Sequence, residues 1–442
     1  MTAPPALEHA LAQLRTMPAG PAAYGRIRSV VGLLVEATGL QAALGELCYL
    51  HEGERPGGRR VKAEVVGIRE ATSVLIPLEP TAGLRAGGLV EPARLPLTVP
   101  VGPALLGRVV DGAGRPIDGR GPLRVEGQQP VHAEPPSPLT RRLIAEPLAT
   151  GVRSLDALLT LGKGQRIGIF AGSGVGKSTL LGMIARRAQA DVNVIAMIGE
   201  RGREVREFVE DTLGPEGLAR SVVVAVTGDQ AAMSRVKGAS VSMAIAEHFR
   251  DQGQDVLLMM DSVTRVAQAQ REVGLAVGEP PTTRGYTPSV FALLPRLLER
   301  AGPGERGTIT GIFTVLVDGG DMDEPVADAA RGILDGHVVL SRTLAQAGHF
   351  PAIDVLQSVS RVMPRVTAPE HGRAADEARR LLADYAKVED LIRVGAYERG
   401  QDPATDRAVD AHPALAAFLQ QTVGEPPPPD AAADLAAVLA GL

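Results

Sequence analysis

A chain of 442 residues is too long for one ordinary core, so two or three domains are expected, and 45% hydrophobic with 22% charged residues excludes a disordered chain. The 46 basic and 51 acidic side chains leave a formal charge of -5, which excludes a broad field for gathering nucleic acid or anionic lipid. Cys48 is the only cysteine, which excludes a disulfide framework or a cysteine metal cluster and fits a reducing cytosol; it reads as a small apolar filler. Aromatics at 3% with no tryptophan disfavour a base-stacking surface. No apolar run reaches membrane-spanning length, and "MTAPPALEHALAQL" lacks the layout of a signal peptide, so neither a span nor a leader is expected.

Leu7, Leu11 and Leu14 fall on one face at helical spacing and predict a short amphipathic helix within residues 1–20, ended by "MPAGP". The spacing leaves open whether that helix packs on its own domain or docks a partner. Over residues 21–97, the runs "GRIRSVVGLLVEA", "VKAEVVGI" and "TSVLIPL" alternate with glycine and proline clusters, which suits a small β-barrel, with "HEGERPGGRR" as a solvated loop. Residues 98–366 begin with a turn-rich connector, "GRVVDGAGRPIDGRGPL". Apolar runs then alternate with helix-like segments: "RIGIF", "VNVIAMI", "SVVVAV", "DVLLMM" and "TITGIFTVLV". Continuous apolar runs of this kind predict a parallel sheet buried on both faces. Residues 367–442 are helical in period, and "GEPPPPD" sets off a last alanine-rich helix.

The chemistry concentrates at "AGSGVGKST". Ala171 to Ser178 fits the phosphate-loop pattern, with alanine in place of the usual first glycine. The N–H groups of Gly172, Ser173, Gly174, Val175 and Gly176, with the start of the following helix through Thr179, suit the β- and γ-phosphates of ATP. Lys177 would neutralise their charge and Ser178 would bind Mg²⁺. Asp261 ends the run "DVLLMMD", where metals and ligands collect in open α/β sheets, and is the second Mg²⁺ anchor; a turn-forming aspartate is the alternative. Glu200 directly follows another apolar run and can orient and deprotonate an attacking water. Glu200 and Glu204 equally read as solvated charges paired with Arg201 and Arg203.

These motifs, in this order, resemble the catalytic-subunit family of rotary ATP synthases and their relatives in type III protein export, over roughly residues 20 to 420. The resemblance implies a multidomain α/β chain with an N-terminal β-barrel, a central P-loop (RecA-like) parallel-sheet ATPase domain and a C-terminal helical domain. It makes Glu200 the water-positioning carboxylate, with Arg201 beside it in the catalytic set. Within "SVSRVM", Arg361 matches the arginine finger that reaches a neighbouring subunit's nucleotide, and Phe350 of "HFPAID" matches the aromatic packed on adenine. Many relatives carry tyrosine there, and a buried core aromatic is the alternative reading. The stretch "GAYERGQDPATDRAV" lacks the acidic run with which rotary catalytic subunits touch their rotor. "GEPPTTRGYTPSVFALLPRLLERAG" looks like the export ATPases, flagellar and injectisome alike, while "DQGQDVLLMMDSVTRVAQAQREVGLA" agrees with the flagellum-specific enzyme, although "TRVAQAQ" is shared with the injectisome branch.

The resemblance therefore implies Mg-dependent ATP hydrolysis in flagellar type III protein export, releasing or unfolding cargo from chaperones at the export gate. It further implies a homohexamer, a stator-like flagellar export regulator docked at the N-terminus, a central-stalk protein, cargo-chaperone complexes and no nucleic acid. The expected place is the cytoplasm, peripheral at the cytoplasmic face of the inner membrane. An injectisome ATPase and a non-catalytic nucleotide-binding ring subunit are the alternatives, with a nucleic-acid translocase disfavoured by the acidic balance.

Overall fold

The structure is a computed structural model that describes residues 24–55 and 58–442, so the helix expected around Leu7, Leu11 and Leu14 lies outside the described residues. The chain divides into two compact units at Pro96/Leu97.

Six strands form the first unit: β1 (Gly25–Val31), β2 (Leu34–Thr38), β3 (Glu46–His51), β4 (Arg60–Arg69), β5 (Thr72–Pro77) and β6 (Leu89–Pro96). They close into an antiparallel barrel in the order β1-β2-β5-β4-β3-β6, which removes every free edge. Ile27, Val35, Leu50, Val61, Leu75 and Val90 fill the interior together with Cys48. Burial pushes the Cys48 thiol up to about 12, with the Glu46 carboxylate adding to the effect, so the residue behaves as the apolar filler expected. The loop expected from His51 starts one residue later, because His51 ends β3 and is buried with its Nε2 3.0 Å from Glu91.

The second unit is organised by a nine-stranded sheet. Its main path uses β7 (Arg108–Val110), β8 (Arg166–Ala171), β9 (Val192–Ile198), β10 (Ser221–Val226), β11 (Asp255–Asp261), β12 (Thr308–Leu316), β13 (Gly336–Leu340) and β14 (Ile353–Ser360). The spatial order is β14-β13-β8-β12-β11-β9-β10-β7, and Gly302–Pro303 adds a short antiparallel pairing to β12. Every neighbour along the path is parallel except β14, which runs antiparallel to β13. All seven residues of β9 and all six of β10 are buried, as a sheet covered on both faces requires. The connector expected around Arg108 contributes β7 to one edge; three residues are too few to carry a strand signal in the sequence.

The C-terminal residues form three helices, Pro369–Arg393, Pro403–Leu419 and Ala431–Ala440. Asp402 and Asp430 cap the last two, each accepting hydrogen bonds from first-turn backbone N–H groups. Ala375, Leu381, Leu415 and Leu435 share one core with Leu155 and Ile169 of the sheet region. No helix among the described residues is long and apolar enough to cross a membrane.

One ion pair lies wholly inside this unit. Arg300 donates to both Glu247 carboxylate oxygens, at 2.8 and 2.6 Å, and to the Val131 carbonyl at 3.0 Å, with the two side chains 5% and 3% exposed. Removing one partner strands a buried charge, so Glu247→Ala should cost about 3–5 kcal/mol, whereas Glu247→Leu combined with Arg300→Met should recover most of that loss. Urea midpoints of the three proteins test this, and a single variant as stable as the double one would contradict it.

Candidate active site

Strand β8 ends at Ala171, and residues 172–176 turn the chain back into α1 (Lys177–Arg187). Gly174 and Gly176 hold φ of 77° and 89°, left-handed values that a side chain would strain, so these two glycines are required by the turn itself. Among the described residues no side chain caps the start of α1, which leaves its first N–H groups and the positive end of its dipole for an anionic ligand.

Three charged groups converge beneath this loop. Lys177 Nζ lies 2.5 Å from Asp261 Oδ1 and 3.8 Å from Glu200 Oε1. The Lys177 and Glu200 side chains are each 13% exposed, and Asp261 is buried. Asp261 ends β11 and is fixed by Thr314 of the adjacent β12, whose hydroxyl donates to Oδ1 at 2.7 Å. Glu200 follows β9, the other neighbour of β11, so the cluster sits at the carboxyl ends of adjacent parallel strands.

Burial pushes the Glu200 carboxyl up to about 7, against the pull of Lys177, and the nearby Asp261 carboxylate adds to the rise. Glu204 moves the other way: a hydrogen bond with Glu200 lowers it, and so does Arg201, 2.9 Å away. Arg201 itself is 81% exposed, and Arg203 pairs in solvent with Glu207. Of the two readings left open for these carboxylates, Glu200 thus sits in the buried cluster and Glu204 at its solvent edge. The helix Gly202–Glu207 that bears Glu204 continues as a π-helical turn over Phe208–Leu213. Thr212 of that turn packs so closely on Gly182 of α1 that a β-carbon there would lie 2.0 Å from the threonine methyl, which ties the two functional segments together.

Ser178 and Asp261 offer a hydroxyl and a carboxylate, hard oxygen donors that fit a small divalent cation which keeps water and phosphate as its other ligands. No group of three or more His, Cys, Asp or Glu side chains among the described residues is arranged to hold a metal without such help.

A cavity of about 470 Å³ opens beside Val175, Gly176 and Thr179, and Phe350 and residues 420–423 also line it. Phe350 is 45% exposed, so it faces this space and is not a core aromatic. Arg361 lies elsewhere. Ile353 of β14 is opposite Leu340 and Ser360 is opposite Gly336, while Leu340 is opposite Ala171. The register therefore places Phe350 near the phosphate-loop end of the sheet and Arg361 beyond its opposite end.

Two contributions have no counterpart in the sequence reading. Thr314 is one of three threonines in the run "TITGIFTVLV", so nothing local set it apart, and residues 420–423 reach the cavity from far along the chain with no local signal either.

Three family models match the chain in order. The ATP synthase alpha/beta family beta-barrel domain covers residues 27–93, the nucleotide-binding domain of the same family covers 151–360, and the T3SS EscN ATPase C-terminal domain covers 367–435. A flagellum-specific ATP synthase of Bacillus subtilis is 55% identical over 405 residues, covering 91% of this chain and 92% of that protein. A type 3 secretion system ATPase of Xanthomonas euvesicatoria is 54% identical over 398 residues, covering 90% of each. Among solved structures, the assembled ATPase EscN of the enteropathogenic E. coli type III secretion system superposes with a TM-score of 0.87 at 46% identity, covering 94% of this chain and all of that one. EscN in complex with its central stalk EscO gives 0.86 at the same identity and coverage. Matched through barrel, sheet and C-terminal helices alike, the chain belongs to the ATP synthase alpha/beta family, alongside the flagellum-specific and type III secretion ATPases.

Proposed function

We propose that the protein hydrolyses ATP with Mg²⁺ and that this reaction serves flagellar type III protein export, releasing or unfolding cargo from chaperones at the export gate. The observation that carries the reading is the largely enclosed Lys177 held between Asp261 and Glu200 where the phosphate loop meets α1. The loop N–H groups of residues 172–176 and the start of α1 through Thr179 bind the phosphates, and Lys177 neutralises them. Ser178 and Asp261 would hold Mg²⁺, which supplies charge neutralisation at the β- and γ-phosphates. Glu200 takes a proton from the attacking water, and Arg201 steadies Glu204 beside it. Phe350 packs on adenine.

Arg361 lies at the opposite end of the sheet from the phosphate loop, so the finger of one chain completes the site of another. A closed homohexamer satisfies that demand for every copy. EscN, solved as an assembled ATPase and with its central stalk, supports both the ring and a central-stalk partner here. We extend the reading to residues 1–20 as the dock for a stator-like regulator, and to a peripheral position at the cytoplasmic face of the inner membrane. The similar identities to flagellum-specific and type 3 secretion relatives favour an injectisome ATPase as the second reading.

Expression in a strain lacking its flagellar export ATPase should restore swimming; restoration of effector secretion in an injectisome mutant, with swimming unrestored, would select the second reading. Glu200→Gln should lower phosphate release by about 10²–10⁴ while ATP binding stays within about threefold. Because Glu200 acts as the carboxylate and titrates near 7, kcat/KM should rise about tenfold per pH unit below that point and level off above it. A flat profile, or normal turnover by the glutamine variant, removes Glu200 from the reaction. Arg361→Ala should lower kcat of the assembled ring by about 10³ or more. ATP affinity of the isolated monomer should not change, and a large loss there would place Arg361 in its own chain's site.

A further inference from the structure

Part of the wall of the cavity beside the phosphate loop is the irregular segment of residues 420–423, which follows the helix Pro403–Leu419. Two arginines hold this segment by its backbone. Arg153 Nη1 donates to the carbonyls of Phe418 at 3.1 Å and Gln420 at 3.2 Å, and its guanidinium pairs with Glu425. Arg187 Nη2 donates to the carbonyl of Val423 at 2.6 Å and to that of Glu425, while Nη1 reaches the Gly151 carbonyl at 3.3 Å. Gln421 closes the arrangement. Its Oε1 accepts from the Arg153 backbone N–H at 2.9 Å, its Nε2 donates to the Gly151 carbonyl at 3.2 Å, and its own N–H donates to the Phe350 carbonyl at 2.9 Å. Neither arginine lines the cavity.

We infer that Arg153 and Arg187 are positioning residues for the nucleotide base: they hold residues 420–423 in place as the part of the cavity wall that meets the base together with Phe350. The inference rests on the reading of this site as an ATP site. Arg187 is the last of the 11 residues of α1, so the helix that meets the phosphates with its first turn clamps the base wall with its last, about 16 Å away. Recognition of base and phosphates is thereby carried by one rigid element, and the connection to the C-terminal helices passes through the same wall.

The alternative is that these arginines matter only through their positive charge. The two cases separate with tripolyphosphate, which presents phosphates and no base. Loss of charge would weaken tripolyphosphate at least as much as ATP, whereas loss of the wall weakens ATP alone.

The experiment is calorimetric titration of the full chain with MgATP and with magnesium tripolyphosphate, for wild type, Arg153→Met, Arg187→Met and the double variant. ATP binding should weaken about tenfold in each single variant, tripolyphosphate should stay within about twofold, and the double variant should lose less than the product of the singles, because both arginines hold one segment. Equal weakening of the two ligands, or unchanged ATP affinity in a variant with wild-type melting, overturns the inference. Should Arg187→Met fail to fold, Arg153→Met decides alone, since its side-chain bonds all go to residues 418–425. Wild type that binds neither ligand overturns the ATP reading itself; wild-type binding with unaffected variants overturns the clamp only.

Discussion

A single buried cation organises this site. Lys177 is drawn between Asp261 and Glu200 in a region where an unpaired charge of either sign is costly. With one ammonium set against two carboxylates, the cluster keeps an excess of negative charge. Glu200 bears that excess through a carboxyl raised to about 7 even with a lysine nearby, which means that desolvation outweighs attraction at its position. A carboxylate held this close to neutrality is a better proton acceptor than one fully stabilised by its lysine would be. The rest of the sheet serves this geometry: β8, β11 and β9 deliver the lysine, the aspartate and the glutamate to one edge, and β12, seated between β8 and β11, adds the Thr314 hydroxyl that stops Asp261 from turning away.

The antiparallel edge strand β14 has a separate task. Every parallel strand of the path ends at the phosphate-loop edge. Because β14 runs the other way, it leaves Phe350 at the active edge and carries the chain to Arg361 at the far one. A strand of eight residues thus links the cavity-lining Phe350 at one edge to Arg361 at the other. Arg361 therefore lies far from the phosphate loop of its own chain, and under the proposed reading only a neighbouring copy could bring the two together.

Much of this was legible in the residues themselves. The phosphate loop and the five apolar runs announce themselves locally, because a glycine-rich turn before a helix and a strand buried on both faces each leave a compact imprint on the sequence. Glu200, Asp261 and Lys177 could be picked out, but not their mutual distances, which depend on the crossing order of the strands. Arg201 shows the limit of local reading. It adjoins Glu200 in sequence, yet its side chain points to solvent and reaches that carboxyl only through Glu204. Phe350 and Arg361 could be singled out by resemblance alone, since an exposed phenylalanine and an exposed arginine have no periodicity to mark them. The strand β7 escaped because its three residues lie among turns, and it is a strand only because β10 pairs with it.

The wall at residues 420–423 escaped for a deeper reason. Arg153 and Arg187 bind mostly carbonyl oxygens, which every residue possesses, so apart from Glu425 and Gln421 the segment they hold need carry no distinctive side chains. The same style of attachment recurs where the helix Pro369–Arg393 meets the sheet region: Arg379 reaches the carbonyls of Leu158, Val355 and Ser358, and His371 Nε2 lies 2.7 Å from that of Ala157. Contacts of this kind are directional and, unlike a purely apolar seam, can be exchanged for water without exposing a large hydrophobic face. They suit a joint that fixes one segment against another by direction rather than by buried area. An apolar core shared across the same boundary, through Leu155, Ala375 and Leu415, adds non-directional burial to these directional bonds, so the two kinds of contact divide the work of attachment between them.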